Sequence, residues 1–199
     1  MSKRKKNVVS KKTLALYFLF AFLSAPANIL LHEYGHYVGA LVSGYSNSDV
    51  HYASFTRGDA PEEPELDFKR GLISIGGPLL TFLLTIGCCF YVFIKKSKAF
   101  VVAFGLTSPV RNLASLIMVF VAVAGGDLRR NDEVKVAEFF DIDPLFPLVF
   151  SALVLVVSWV FLVGRIDTRY RWWVLLSIVL GGALGNVLWL TVVGPILVP

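Results

Sequence analysis

The sequence predicts an all-α, polytopic helical membrane protein with about five transmembrane helices. Of its 199 residues, 56% are hydrophobic and only 17% are charged, whereas charged residues make up about 25% of a soluble globular protein. Five apolar segments are present, and each approaches or exceeds the roughly 20 residues that a helix needs to cross a bilayer. We therefore expect a lipid bilayer to surround most of the chain.

The apolar segments divide the chain into a membrane core and a carboxyl-terminal pair of helices. A basic tail, residues 1–12, comes first and is expected to be cytoplasmic. The core, residues 13–144, contains two polar segments, 45–70 and 125–144, which we expect to be outer loops. Residues 145–199 are expected to form two transmembrane helices packed on that core. The five apolar segments cover residues 13–44, 71–94, 99–124, 145–164 and 172–198.

The first apolar segment is longer than a simple span. As a helix it would reach about 48 Å, against about 30 Å for the hydrocarbon core. Pro26 is expected to kink or break it. An alternative interpretation is a cleaved signal peptide, because a basic start, an apolar stretch and Ala25-Pro26-Ala27 resemble the three parts of such a leader.

The distribution of basic residues predicts the orientation. With the tail inside, the inner connections hold twelve lysines and arginines and the outer ones hold six, as the positive-inside rule prefers. Basic residues thus lie at the ends of apolar runs as topology signals, so the net charge of +5 does not indicate a nucleic-acid partner. No feature of the sequence specifies an oligomeric state.

The most informative motif is His32-Glu33-Tyr34-Gly35-His36, an H-E-x-x-H pattern inside the first apolar segment. Residues four apart lie on one face of a helix, so His32 and His36 can bind a single metal ion. Glu33 would then lie beside that face, where it can take a proton from a water molecule. The motif lies about 20 residues beyond the tail, which places the site toward the non-cytoplasmic side.

A catalytic zinc site usually has three protein ligands, so a third is required. His51 is interpreted as an ordinary loop residue, which leaves the carboxylates of the outer segments. Asp132 is the preferred ligand and Asp127 is the alternative, since both lie on the same side as the motif. Each also has a simpler explanation: Asp132 could cap a short amphipathic helix, and Asp127 could be a loop residue after two glycines.

Two further polar residues, Arg111 and Asn112, lie in the middle of the third apolar segment. An arginine at membrane depth is a functional candidate. It could stabilise an oxyanion or hold an acidic ligand. The alternative is a structural pair between Arg111 and a carbonyl or Asn112. Ser108-Pro109, just before them, is expected to loosen the helix.

The chain resembles the site-2-protease type of intramembrane zinc metalloprotease. The matching residues are the motif at 32–36, Gly76-Gly77-Pro78, and Asn131-Asp132-Glu133 followed by Val136-Ala137, with a weaker match in the closing residues 194–199. The Leu-Asp-Gly motif of that family is absent. Thr81 also stands where an asparagine often follows the Gly-Pro pair by three residues.

The resemblance implies a membrane-embedded zinc metallopeptidase that hydrolyses peptide bonds in membrane or juxtamembrane protein substrates. Its cofactor would be Zn²⁺, and Glu33 would act as the general base. Because the chain departs from the family pattern, the alternative is a catalytically inactive, zinc-binding membrane scaffold or regulator.

Overall fold

A computed structural model describes residues 10–59, 66–95, 98–128 and 131–198. Most of the basic tail and parts of both outer segments, including residues 60–65 and 129–130, lie outside the described residues. The described chain is built from helices, with one small hairpin of strands in the first outer segment. The elements are α1 (Lys11–Val42), β1 (Asp49–Val50), β2 (Phe55–Thr56), α2 (Leu66–Ile94), α3 (Ala99–Thr107), a 3₁₀ turn (Ser108–Arg111), α4 (Asn112–Val123), α5 (Asp132–Phe140), α6 (Leu145–Gly164), α7 (Arg171–Leu188), a π turn (Trp189–Val193) and α8 (Gly194–Leu197).

Within the described residues, five helical segments are long and apolar enough to cross a membrane, which confirms the predicted all-α, polytopic architecture. The third span consists of α3, the 3₁₀ turn and α4, and the fifth extends from α7 into α8. Large apolar side chains stay exposed on their outer faces, among them Phe90, Phe120 and Val160. Such faces suit contact with the lipid hydrocarbon, where apolar side chains do not need to be buried by protein.

Helix α1 continues through Pro26, so of the two expected effects of this proline, a kink or a break, the break does not occur. It begins at Ser10, whose hydroxyl accepts a hydrogen bond from the Thr13 amide at 3.1 Å, the usual role of an N-cap. Tyr17 and Ala21, which precede the Ala25-Pro26-Ala27 stretch, belong to the buried core. The amino-terminal half of α1 is therefore part of the packed protein in this structure.

Helix α7 packs directly on the backbone of α1. Gly181 and Gly185 lie four residues apart and face the carbonyl groups of Phe18 and Phe22, and a Cβ at either glycine would overlap those carbonyls. Small residues at this spacing let two membrane helices approach closely enough for strong van der Waals contact. The two glycines thus fix the distance between the first and fifth spans.

Helix α2 packs equally closely on the carboxyl-terminal half of α1. Added Cβ atoms at Gly35 or Gly76 would each overlap the backbone of the other glycine, and one at Gly39 would lie 2.9 Å from the Leu72 carbonyl oxygen. The two backbones therefore meet within one turn of the H-E-x-x-H motif. This contact sets the position of every α2 residue that reaches the motif.

The third span is interrupted at Ser108–Arg111, where Ser108-Pro109 is predicted to loosen the helix. A proline lacks an amide hydrogen and cannot continue the α-helical pattern of hydrogen bonds. The Asn28 side chain on α1 donates a hydrogen bond to the Thr107 hydroxyl at 3.0 Å, which ties the start of this turn to the first span. The turn thereby carries Arg111 toward α1.

We predict that Gly185→Val destabilises the protein while Gly87→Val does not. A Cβ at residue 185 would overlap the α1 backbone, whereas residue 87, also in a span, has open space around it. Overpacking costs about 1–3 kcal/mol, so the first variant should unfold at a lower temperature in detergent. Equal melting temperatures for the two variants would contradict the proposed packing.

Candidate metal centre

The two histidines of the motif lie on one face of α1 and point toward each other. Both are buried, with 4% of His32 and 6% of His36 exposed. Their Nε2 atoms are 3.1 Å apart. Because residues four apart are neighbours across one helical turn, this proximity follows directly from the spacing in the sequence.

Asp132, at the start of α5, completes the group. Its Oδ2 atom lies 3.1 Å from His32 Nε2 and 3.4 Å from His36 Nε2. Asn131, and not Asp132, is the N-cap of α5: its side-chain oxygen accepts a hydrogen bond from the Val134 amide at 2.9 Å. The Asp132 carboxylate is therefore available to the histidines, and we call these three residues the His–His–Asp cluster.

Asp127, the alternative third ligand, is exposed in the loop after α4. Among the described residues, the one group that could hold a metal ion consists of the three members of the His–His–Asp cluster. The structure thus brings Asp132 to the histidines and leaves Asp127 outside. His51 is also outside the cluster, since its Nε2 is 2.9 Å from the Thr56 hydroxyl within the hairpin.

Helix α2 fixes the orientation of both imidazole rings. His36 Nδ1 donates to the Ile73 carbonyl at 2.7 Å, and because a carbonyl only accepts, the Nε2 of the neutral ring must carry the lone pair. His32 Nδ1 lies 3.0 Å from the Thr81 hydroxyl, which can hold its ring in the same manner. Such outer partners are typical of metal-binding histidines.

The geometry of the His–His–Asp cluster fits a small divalent cation. Two imidazole nitrogens and a carboxylate oxygen face one another at 3.1 to 3.4 Å, and their close approach requires protons or a cation among them. Tetrahedral zinc with bonds of about 2.0–2.1 Å would hold its ligand atoms about 3.3 Å apart. The donor set of two nitrogens and one oxygen is one that zinc accepts.

The protonation state of Asp132 agrees with such a site. Burial acts to raise the pKa of its carboxyl group, but hydrogen bonds from the protonated imidazoles of His32 and His36 outweigh burial and hold this pKa well below its usual range. A metal ion would replace those imidazole protons. The carboxylate is therefore ionised at neutral pH. Ionised oxygen is the form that binds a metal.

Gly77 leaves the space in front of the two imidazoles open. A Cβ at this position would lie 2.6 Å from His32 Nε2 and would also overlap His36 Nε2. Any side chain on residue 77 would thus occupy the place toward which both nitrogens point. The close backbone contact between α1 and α2 makes glycine necessary here.

The remaining motif residue, Glu33, is paired with Arg111. The Arg111 Nη1 atom donates to Glu33 Oε1 at 2.5 Å, and its Nη2 lies 3.9 Å from Asp132 Oδ2. Asn112 instead donates to the Ser151 carbonyl at 3.2 Å and so joins the third span to α6. Of the two predicted supporting residues, Arg111 lies at the site and Asn112 does not.

The cluster opens into a polar pocket of about 620 Å³. Glu33, His36 and Asp132 lie on its wall, and residues 53–55 of the hairpin also line it. Lys135, which the sequence analysis did not identify, also lines the pocket and places its Nζ 3.4 Å from Asp132 Oδ1. The sequence contains one signal for this contact: Lys135 lies three residues after Asp132 on an amphipathic helix, a spacing at which two side chains are neighbours.

The hairpin wall is anchored to the carboxyl-terminal helices. Trp189 Nε1 donates to the Tyr52 carbonyl at 2.7 Å, and the Tyr52 amide donates to the Val198 carbonyl at 3.0 Å. The strands have only two residues each, so no alternating pattern in the sequence could predict them. These distant hydrogen bonds hold the loop in place over the pocket.

Comparisons with protein-family models, with curated proteins and with solved structures find no match to this chain. The resemblance to site-2 proteases therefore remains a prediction from the motifs.

We predict that Asp132→Ala removes bound zinc and that Asp127→Ala does not. Loss of a direct ligand should weaken affinity by more than about 100-fold, because even partners behind the ligands contribute about 10–100-fold. Elemental analysis of the purified proteins, normalised to protein, measures this. Zinc retained by Asp132→Ala and lost by Asp127→Ala would reverse the assignment.

We also expect Gly77→Ala to lose zinc while keeping its helices, since the new methyl group would fill the space between the imidazoles. Gly87→Ala is the matched control on the same helix, with open space around it. Circular dichroism and zinc content, measured on the same samples, separate misfolding from loss of the site. A folded Gly77→Ala protein with a full zinc complement would contradict this expectation.

Proposed function

We propose that the chain is a membrane-embedded zinc metallopeptidase that cleaves membrane or juxtamembrane protein substrates. The observation that carries this proposal is the convergence of His32, His36 and Asp132 beside Glu33 at the wall of a polar pocket. Three metal ligands, an adjacent carboxylate and an open approach are the parts that metal-assisted hydrolysis requires.

The residues have separate roles in this proposal. His32, His36 and Asp132 would hold the ion, which when bound supplies Lewis acidity toward a peptide carbonyl and a water molecule. Glu33 takes a proton from the attacking water and passes it to the leaving amine nitrogen. Arg111 engages Glu33 Oε1 and so leaves the other oxygen, Oε2, to carry the proton.

The proposed orientation has a cytoplasmic amino terminus and a site toward the non-cytoplasmic side. The distribution of basic residues supports it. The hairpin, the pocket and the end of the fifth span lie together, so in this proposal all three share the non-cytoplasmic side. In this scheme the pocket gives water and an unwound substrate segment a polar path to the cluster.

A second candidate function is a metal-binding scaffold without catalysis. One observation favours it: Arg111 and Glu33 form a close ion pair, which could serve as a structural link between the third span and α1. Under this alternative the metal would stabilise the junction of α1, α2 and α5, and no peptide would be cleaved.

Glu33→Gln distinguishes the two functions. As a peptidase, the variant should retain zinc but lose at least about 100-fold in cleavage rate, since general acid–base catalysis contributes about 10²–10⁴-fold. Cleavage of a membrane-anchored reporter by purified protein in vesicles measures the rate. Glu138→Gln, at an exposed position on α5, is the matched control. Zinc-loaded wild type that cleaves no reporter, with no effect of Glu33→Gln, would favour the scaffold.

A further inference from the structure

We infer that the pocket binds peptide segments that carry a carboxylate, either an acidic side chain or a free carboxyl terminus. The inference rests on the proposed function, since it concerns the substrate of the same site. It comes from the charges on the pocket wall. Among the described residues, this wall holds the cationic side chains of Arg57, Arg70, Arg111 and Lys135 and the carboxylates of Glu33 and Asp132.

The two carboxylates are more deeply buried in the pocket wall than their cationic partners. In the pair of Arg111 and Glu33, 43% of the arginine side chain is exposed and only 5% of the glutamate. In the pair of Lys135 and Asp132, the exposed fractions are 40% for the lysine and 18% for the aspartate. A ligand entering the pocket therefore meets the positive member of each pair first.

These cations retain donors for a ligand. A guanidinium group has five N–H donors and an ammonium group has three. Arg111 uses Nη1 on Glu33, and Lys135 directs its Nζ at one oxygen of Asp132. Their other N–H groups can bind a carboxylate, and charge-assisted hydrogen bonds of this kind are about twice as strong as neutral ones.

Arg57 adds a third positive group to the pocket wall. It belongs to the hairpin segment, and its guanidinium carbon lies 5.6 Å from the centre of the Tyr45 ring. Stacking on an aromatic face restricts the guanidinium without consuming its in-plane hydrogen-bond donors. A metal ion in the cluster would add to the positive potential. A neutral peptide offers Arg57, Arg111 and Lys135 no charged partner, whereas a carboxylate does.

The inference can be tested with dansyl-labelled peptides that carry a hydroxamate, a zinc-binding group, at one end. One pair differs only in Asp against Asn, and a second pair differs only in a free against an amidated carboxyl terminus. We expect the acidic member of at least one pair to bind full-length, zinc-loaded protein in detergent about tenfold more tightly. This preference should weaken as salt is raised.

Arg57→Gln and Lys135→Met should reduce the preference, while Lys95→Met, at an exposed site beyond the end of α2, should leave it unchanged. Zinc content is measured for every variant, because Lys135→Met could also weaken zinc binding through the loss of its contact with Asp132. The pair that shows the preference identifies the source of the carboxylate.

Equal affinity within both pairs would overturn the inference and leave the proposed function intact, because zinc content and hydroxamate affinity report on that function separately. Binding that is equal within the pairs but is displaced by phosphatidylglycerol would also overturn it and would assign the cations to lipid headgroups. A zinc-free protein that binds no hydroxamate would overturn both proposals.

Discussion

The backbone contact between α1 and α2 is the constraint on which the candidate site depends. Gly35 and Gly76 allow the two helices to meet without side chains between them. Ile73, Gly77 and Thr81 on α2 are thereby brought against the motif histidines. Two of these residues hold the imidazole rings and the third leaves space before them. If α1 and α2 were further apart, the imidazole rings would lose their partners on α2, and the cavity in front of them would change shape.

The burial of charge at membrane depth has a local explanation. Glu33 lies within a span, where an isolated carboxylate would be expensive, and it is paired with Arg111. That arginine reaches α1 because the third span is interrupted by a 3₁₀ turn. Asp132 enters from outside the spans on α5 and is compensated by the histidines and by Lys135. Each acidic group near the cluster is therefore matched by a cationic or metal-binding neighbour.

Much of the fold and part of the site could be predicted from the sequence, for identifiable reasons. Spans follow from the length of apolar runs, and the proximity of His32 and His36 follows from helical periodicity. The choice between Asp132 and Asp127 could not be made with confidence, because a capping role explained Asp132 equally well; the structure gives that role to Asn131. The partner of Arg111 and the ring contact of Thr81 depend on tertiary packing, which no local pattern encodes. Thr81, a departure from the family pattern, faces His32 in this structure.

The anchoring of the hairpin by the last helices determines the order in which the pocket is assembled. Chains are synthesised from the amino terminus, and their parts fold as they emerge. The three ligands of the His–His–Asp cluster lie on α1 and α5, both of which end by residue 140, but Tyr52 is hydrogen-bonded to residues 189 and 198. A nascent chain that has not yet reached residues 189–198 can thus bring the three ligands together before one wall of the cavity is secured.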